Sequence, residues 1–287
     1  MHPQVDGFFD PATFTVSYVI RDPASKACAI IDPVLDFDAA AGRTYSQSAD
    51  RIVAHIQANN LDVKWILETH VHADHLSAGP YLQERAGGRI VIGAGVTIVQ
   101  RVFARIFNTG VEFSTDGSQF DRLLKDGEKL LIGALELTAM HTPGHTPACM
   151  SYIVGDAAFI GDTMFMPDYG TARTDFPGGD ARALYRSIQK ILSLPADTRL
   201  FLCHDYLTPQ RKEYVWETSI AAQKSGNIHV HEGIGEEAFV KMRQARDATL
   251  NMPALILPSV QINMRAGHFP PAEANGVSYL KLPLNSF

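Results

Sequence analysis

Four apolar runs typical of β-strands each end in a histidine or an aspartate, and this pattern constrains the fold more than any other. The junctions are VKWILE before THVHADH (69–75), LELTAM before HTPGHTP (141–147), AAFI before Gly161-Asp162, and RLFLC before His204-Asp205. Because the carboxyl ends of parallel strands meet at one edge of a sheet, these side chains are expected to converge on a single cleft. Helical segments between the strands favour an α/β sandwich with helices outside the sheets.

The stretch THVHADH places His70, His72, Asp74 and His75 within six positions. Imidazole nitrogens and carboxylate oxygens are ligands that zinc, iron and manganese accept. His70 and His72 are two residues apart, so in an extended chain their side chains lie on the same side. Chance would produce this pattern on the order of once in a thousand such chains. The stretch therefore predicts a metal site, in which Asp74 and His75 either serve a second metal or orient the first ligands.

Two of the other junctions offer a choice of residue. His145 is preferred to His141 as a ligand because Gly144 lets the backbone approach the site closely, and His141 is expected to be structural. Asp162 is preferred to Asp156, since Asp156 links two strand runs and is expected in a hairpin turn. The sequence therefore predicts His145 and Asp162 as metal ligands.

The remaining histidines are separated by the same reasoning. His204 fits the strand-end rule, with a purely hydrogen-bonded role as the alternative. His229 and His231 are also spaced by two, but no acidic or histidine cluster lies beside them. We therefore predict a ligand role for His204 and a surface position for the other two.

Composition limits the class of protein. The 287 residues are 46% hydrophobic, which suits one domain over 1–287, with a loop-rich C-terminal extension expected from about residue 226. A net charge of −6 argues against a broad nucleic-acid surface, which needs clustered lysines and arginines. The N-terminus lacks a basic segment followed by an apolar run, and no apolar run approaches membrane-spanning length. A cytoplasmic enzyme without nucleic-acid or membrane partners is therefore predicted.

With these residues in place, the chain resembles the metallo-β-lactamase superfamily. The matching residues are 69–75, the turn 142–146, the Gly161-Asp162 pair and His204, in the expected order. The resemblance implies an αβ/βα sandwich of two mixed β-sheets flanked by helices, with metal in a cleft at one edge.

Within the superfamily, the chain is similar to the glyoxalase II branch and closer still to persulfide dioxygenases, including bacterial forms named β-lactamase-hydrolase-like. The residues behind this finer resemblance are ARTDF (172–176), HDY (204–206) and NMRAG (263–267). Ala172 departs from the glycine that many persulfide dioxygenases have there. The resemblance implies a dioxygenase that oxidises glutathione persulfide with O₂ to sulfite and glutathione.

The same resemblance implies the metal and its ligands. One Fe(II) per chain would be held at the catalytic site by His70, His145 and Asp162. The other polar residues of the motifs would then bind water or support the ligands; they are His72, Asp74, His75 and His204. A homo-oligomer is also expected, a dimer being one form.

Because glutathione is anionic, basic and hydroxyl side chains are expected to bind it. By resemblance these are Arg173 and Tyr206, with Thr146, Arg265 and Arg211 as further candidates. For Arg173, a salt bridge with Asp175 or Asp180 is the alternative.

A two-metal thioester hydrolase of the glyoxalase II type is the alternative function, with zinc as a possible metal. One metal would then be bound by His70, His72, His145 and Asp162. The other would be bound by Asp74, His75, His204 and the shared Asp162. A bridging hydroxide would attack the thioester carbonyl. A closed structural metal site in a sensor module is disfavoured, because such sites are commonly rich in cysteine and these motifs contain none.

Overall fold

The framework consists of two six-stranded sheets that face each other. The computed structural model describes residues 2–286. The strands are β1 (Gln4–Asp10), β2 (Thr15–Arg21), β3 (Ala27–Ile31), β4 (Val34–Asp38), β5 (Arg43–Tyr45), β6 (Asp62–Leu67), β7 (Leu76–Ser77), β8 (Arg89–Gly93), β9 (Arg122–Leu124), β10 (Lys129–Ile132), β11 (Leu135–His141), β12 (Met150–Val154), β13 (Ala157–Phe159), β14 (Arg199–Phe201) and β15 (Glu217–Ser219). The helices are α1 (Gln47–Asn59), α2 (Gly79–Ala86), α3 (Val96–Phe107), α4 (Ala181–Leu192), α5 (Ile220–Gly226), α6 (Glu236–Asp247) and α7 (Ile256–Asn263).

The first sheet has the order β1-β2-β3-β6-β8-β9. β2 and β3 form the antiparallel hairpin that the sequence predicts, and β6 pairs in parallel with β3 and β8. Ile31 is the register partner of Leu67. The residues that follow β3 and β6 therefore leave the sheet side by side, at the same edge.

The second sheet has the order β10-β11-β12-β13-β14-β15. β12 is antiparallel to both β11 and β13, and β13 is parallel to β14. As a result β11, β13 and β14 run in one direction, although they are not all neighbours. Their carboxyl ends share one edge of a mixed sheet, which is how the three later junctions converge.

Apolar side chains fill the space between the sheets and cover their outer faces. Between the sheets, the buried tyrosines Tyr18 and Tyr152 each donate a hydrogen bond to the opposite half, to Leu202 O at 2.5 Å and Glu68 O at 2.7 Å. Helices α1, α2, α3 and α7 cover the first sheet, and α4, α5 and α6 cover the second. This arrangement confirms the predicted sandwich of two mixed sheets flanked by helices.

Several elements differ from the sequence-based expectations. A strand, β1, precedes the predicted hairpin, and the segment near 214–224, expected to be helical, begins as strand β15. In the proline-containing tail, helix α7 forms where only loop was expected, because its apolar residues pack against the first sheet's helical layer. Among residues 2–286, none of the helices is both long and apolar enough to cross a bilayer.

Candidate metal centre

The side chains that follow the strands of the second sheet meet at one end of the sandwich. Asp162 follows β13 through Gly161, whose φ of 50° and close approach to Thr69 suit only glycine: a Cβ there would lie 2.7 Å from Thr69 Oγ1. His145 Nε2 lies 3.6 Å from Asp162 Oδ2, and His204 Nε2 lies 3.3 Å from Asp162 Oδ1. Asp162 therefore joins the three junctions at one point.

The loop after β6 brings its own polar residues to the same point. The ring centroid of His72 lies 4.0 Å from that of His70 and 4.2 Å from that of His75. Asp74 Oδ2 lies 3.2 Å from His204 Nε2. The contiguous motif and the three later junctions thus form a single cluster.

Four sets of three side chains could each hold a metal ion, and two of them consist only of the motif and junction residues. The first ligand group is His70, His145 and Asp162, and the second ligand group is His72, Asp74 and His75; within each, the ligand atoms lie within 4.8 Å of one another. Imidazole nitrogen and carboxylate oxygen suit iron, zinc and manganese. The geometry is therefore compatible with one metal or with two.

The turn that carries His145 is shaped by helix α4. Gly144 has a φ of 143°, and a Cβ there would lie 2.3 Å from Leu184 N, so only glycine fits against the helix. The close approach that Gly144 permits is thus to α4 and not to the metal ligands. His141 spans the same turn by donating from Nε2 to Pro147 O at 3.0 Å, a structural contact.

Carbonyl oxygens hold three of the imidazoles from behind. His145 Nδ1 donates to Arg173 O at 2.8 Å, and His75 Nδ1 donates to Leu76 O at 3.1 Å. His204 Nδ1 donates to Phe14 O at 3.3 Å. Because a carbonyl can only accept, these partners assign the ring proton to Nδ1. Each of the three rings therefore directs its Nε2 towards the cluster.

Asp32, directly after β3, orients the other two imidazoles. Its Oδ1 accepts from His72 Nε2 at 2.9 Å, and its Oδ2 accepts from Thr69 Oγ1 at 2.7 Å. With its proton given to Asp32, the Thr69 hydroxyl accepts from His70 Nδ1 at 3.0 Å. His70 therefore presents Nε2 to the cluster and His72 presents Nδ1. Carboxylates behind metal-binding histidines act in this way in metalloproteins.

Five buried atoms of the cluster have no hydrogen-bond partner within residues 2–286. They are His70 Nε2, His72 Nδ1, His75 Nε2, His204 Nε2 and Asp162 Oδ1. Buried polar atoms without partners cost free energy, so such a concentration in one place calls for a partner. Asp162 Oδ1 offers a lone pair, and so does each imidazole nitrogen when its ring is neutral, so a cation would satisfy them together. The residues therefore fit a bound metal ion.

Burial keeps two of these imidazoles, those of His70 and His75, neutral. Burial, followed by the neighbouring imidazoles, lowers the pKa of His70 well below its usual range. Burial also lowers the pKa of His75 to about 4. For His72, burial acts in the same direction, but the carboxylates of Asp32 and Glu68 outweigh it and raise the pKa well above its usual value. His70 and His75 are therefore in the neutral form that metal binding requires.

Comparison with protein-family models identifies the family of proteins to which the chain with this cluster belongs. The model of the metallo-β-lactamase superfamily matches residues 10–204, more than half of the 287 residues. The chain belongs to the metallo-β-lactamase superfamily. The matched range contains all seven candidate ligands and ends before helices α5, α6 and α7.

Several relatives match nearly the whole of this metallo-β-lactamase superfamily chain. A probable metallo-hydrolase of Burkholderia pseudomallei is 59% identical over 98% of this chain and 99% of its own. A β-lactamase hydrolase-like protein of Xylella fastidiosa is 52% identical over 99% of this chain, which spans 65% of that protein's length. Glyoxylase B2 of Dictyostelium discoideum is 48% identical over 98% of this chain and 97% of its own.

Persulfide dioxygenases are also among the superfamily members that resemble the chain. The mitochondrial persulfide dioxygenase ETHE1 of Homo sapiens is 31% identical over 90% of this chain and 87% of its own. The crystal structure of ETHE1 from Myxococcus xanthus has a TM-score of 0.73 and 30% identity, covering 93% of this chain and 100% of that one. These matches confirm the resemblance predicted from the motifs.

The superfamily site is reached through a cleft of about 260 Å³. Asp74, His145 and Asp162 face it from below. Tyr206 also lines the cleft and stacks on His204, with ring centroids 5.5 Å apart and planes inclined by 20°. The cleft therefore gives a ligand direct access to both ligand groups.

Arg173 lines the cleft as well, but its guanidinium is already bound. Nε and Nη2 donate to the two carboxylate oxygens of Asp175, each at 2.6 Å, and Nη1 donates to Asn251 O at 2.7 Å. The salt bridge with Asp175, the alternative drawn from the sequence, is therefore present. A contact between Arg173 and substrate remains a prediction.

The other predicted substrate-binding residues lie elsewhere in the described chain and do not line the cleft. Thr146 is buried, with Oγ1 at 3.1 Å from Cys149 Sγ. Arg211 donates to Asp205 Oδ1 at 2.6 Å and also pairs with Asp168. The guanidinium of Arg265 lies over the Phe113 ring, 4.2 Å from its centroid. The structure thus engages all three in internal contacts.

Sequence reasoning missed two residues of the site and misjudged a third. Asp32 could have been found, because ACAII followed by an aspartate obeys the same strand-end rule. Arg246 lines the cleft from α6 and is exposed, and its guanidinium makes no hydrogen bond or ion pair with any other residue that the structure describes. His229, expected at the surface, is buried and accepts from Thr171 N at 3.0 Å. The short-range sequence around Arg246 and His229 contains no signal for either position.

Proposed function

We propose that this protein is a persulfide dioxygenase that oxidises glutathione persulfide with O₂ to sulfite and glutathione at one non-haem iron. The observation that carries the proposal is the first ligand group, His70, His145 and Asp162, of which His145 and Asp162 line the cleft and His70 lies buried beside them. Two histidines and one carboxylate on one side of a metal are typical of non-haem Fe(II) oxygenases, which leave positions open for substrates. The similarity to the proteins named persulfide dioxygenase ETHE1 supports the same reading.

Fe(II) held by the first ligand group would bring the terminal persulfide sulfur and O₂ together and supply electrons to the reaction. Overall, one glutathione persulfide, one O₂ and one water give glutathione, sulfite and protons. The chain's own task is to fix geometry and limit access of bulk water. The carbonyl behind His145 and the Thr69–Asp32 relay behind His70 keep Nε2 of both rings directed at the cluster.

The wall of the cleft is suited to an anionic peptide thiol. Glutathione carries two carboxylates, and Arg246 is the cleft-lining arginine whose guanidinium has no partner within residues 2–286. Arg243 and Arg173, which also line the cleft, are paired with Asp247 and Asp175. We therefore assign carboxylate binding first to Arg246, with Tyr206 as a hydroxyl contact near the metal.

A dinuclear thioester hydrolase is the second candidate, and the second ligand group favours it. His72, Asp74 and His75 offer a complete set of ligands beside the first group, and His204 Nε2 lies within 3.3 Å of the carboxylates of both groups. The relatives named metallo-hydrolase and glyoxylase B2 support this candidate as well. Both candidate functions use a glutathione derivative, so the cleft wall serves either.

The experiment that decides between them begins with anaerobic purification and metal analysis. Oxygen uptake and sulfite release are then measured with glutathione persulfide, and hydrolysis is measured with an acyl-glutathione thioester. About one iron per chain with O₂ uptake and sulfite supports the dioxygenase. Two metals per chain with thioester hydrolysis and no O₂ uptake would reject it in favour of the hydrolase.

A further inference from the structure

Helix α6 buries an ion pair beneath the wall of the cleft. Arg243 is 1% exposed and Asp247 is 5% exposed. Arg243 Nε donates to Asp247 Oδ1 at 2.9 Å, and Nη2 forms an ion pair with the same oxygen at 2.7 Å. Burial lowers the pKa of Arg243, although Asp247 opposes the shift, so the site bears the cost of a desolvated charge. Buried ion pairs of this kind contribute little net stability, so another reason for the pair must be sought.

Both members of the pair hold the loop that follows Gly170. Asp247 Oδ2 accepts from Thr174 N and from Thr174 Oγ1, each at 2.9 Å. Arg243 Nη1 donates to Thr171 O at 3.0 Å. The loop is thereby attached to α6 at two points, one on each side of Arg173.

A single peptide group connects this attachment to a metal ligand. The carbonyl of Arg173 and the N–H of Thr174 belong to the same planar peptide and point in opposite directions. The N–H donates to Asp247, while the carbonyl accepts from His145 Nδ1 at 2.8 Å. Asp247 therefore fixes the orientation of the acceptor that fixes His145.

We propose that Asp247 is a positioning residue for the metal ligand His145, acting through the Arg173–Thr174 peptide. The proposal rests on the proposed metal-binding role of His145 but not on which reaction the metal serves. Hydrogen bonds in a chain polarise one another, so the carboxylate also strengthens the carbonyl as an acceptor. α6 lies outside residues 10–204, so it is not part of the superfamily match.

The test measures metal binding rather than turnover. Co(II) affinity of the purified full chain is measured by competition with a chelator, and the visible absorption spectrum reports the ligand geometry. Asp247→Asn is expected to weaken Co(II) binding about tenfold and to change the spectrum, as partners behind metal ligands do when altered. Thr174→Ser, which retains both hydrogen bonds, is expected to bind as the wild type does.

Two further variants separate positioning from folding. Glu237→Gln removes a surface ion pair with Arg182 that joins α6 to α4, and is expected to leave Co(II) affinity and spectrum unchanged. Should Asp247→Asn fail to fold because Arg243 is left unpaired, the double variant Arg243→Met with Asp247→Leu removes both charges. Wild-type Co(II) affinity and spectrum in a folded Asp247 variant would overturn the proposal. The oxygen-uptake assay separately decides the proposed function.

Discussion

The cleft has a floor, formed by the two ligand groups and His204, and a wall, formed by Phe165, Tyr169, Arg173, Tyr206 and Arg246. The imidazoles of the floor are buried, whereas most residues of the wall are half-buried or exposed. On the floor every imidazole has one nitrogen tied to a carbonyl, a hydroxyl or a carboxylate. On the wall, Arg173 is paired, whereas the guanidinium of Arg246 has no partner among residues 2–286. The difference indicates that the floor is built to hold a metal in one geometry, and the wall to meet a variable ligand.

The two regions also differ in their place along the chain. The floor lies entirely within the residues matched to the metallo-β-lactamase superfamily, 10–204. Part of the wall comes from α6, beyond that range. We therefore expect floor substitutions to remove metal and all activity, and wall substitutions to alter substrate use.

The largest effect is expected on the floor, from Asp162→Ala. This change removes the carboxylate that lies near both His145 and His204. The bound metal should be lost with it, and a metal ion stabilises the transition state by about 4 kcal/mol. Activity should fall about a thousandfold, with loss of bound metal. Metal per chain and substrate turnover are measured beside His141→Ala, a turn residue that should retain both. Unchanged metal content in Asp162→Ala would contradict the site assignment.

A somewhat smaller effect is expected behind the floor, from Asp32→Asn. The amide keeps the shape but loses the charge that accepts from Thr69 and His72, and breaking a buried pair costs about 3 kcal/mol of unfolding free energy. Metal affinity should fall between about tenfold and a hundredfold. Chemical denaturation and chelator competition provide the two measurements.

Asp22→Asn serves as the matched control for that experiment. Asp22 accepts hydrogen bonds in the β2–β3 turn, from Ala24 N at 2.9 Å among others. It should lose some stability and no metal affinity. Equal losses of affinity in both variants would show that the effect of Asp32 is general destabilisation.

Acid should destabilise the metal-free protein through the floor. Burial lowers the folded pKa of His75 to about 4 from 6.5, so between these values the unfolded chain binds a proton that the folded chain does not. This contribution is present above pH 6.5 and is lost as the pH falls towards 4, with roughly 2 kcal/mol lost at pH 5. The free energy of unfolding is measured by chemical denaturation of the protein after its metal has been removed with a chelator, above pH 6.5 and at about pH 5.

His229 contributes to the same acid dependence of stability, so its share must be separated from that of His75. Burial lowers its pKa to about 4 as well, so His229→Gln should remove a similar share of the acid sensitivity. His75→Gln should remove the floor's share. A wild-type acid dependence in both variants would mean that neither histidine is buried in its neutral form.

The smallest effect is expected on the wall, from Arg246→Ala. Loss of an exposed charge–carboxylate contact should raise KM for the glutathione substrate about tenfold, or 1.4 kcal/mol, with kcat unchanged. The KM of Arg246→Lys should lie between those of the wild type and Arg246→Ala. Arg101→Ala, an exposed arginine on α3, is the control. Steady-state kinetics that show a fall in kcat with constant KM would place Arg246 outside substrate binding.

The clustering of the candidate ligands could be predicted where the signal was local and repeated. His70 to His75 form one contiguous stretch, and each later candidate follows an apolar strand run, so alternation and strand ends were enough to bring them together, while their role as ligands stays a prediction. The same rule applied to ACAIID would have selected Asp32 as well. The role of Arg173 could not be predicted in the same way. Whether it lines the cleft or forms a salt bridge with Asp175 depends on neighbours that only the structure shows.

The sequence by itself determined the kind of chemistry available: imidazoles and carboxylates at the ends of buried strands, in an acidic chain of the metallo-β-lactamase type. Only the tertiary structure decided which nitrogen of each ring faces the metal site and which arginine of the wall is free. The physical reason is that these properties depend on partners distant in sequence. His72 is oriented by Asp32, and the peptide behind His145 is held by Asp247, two contacts that no local pattern encodes.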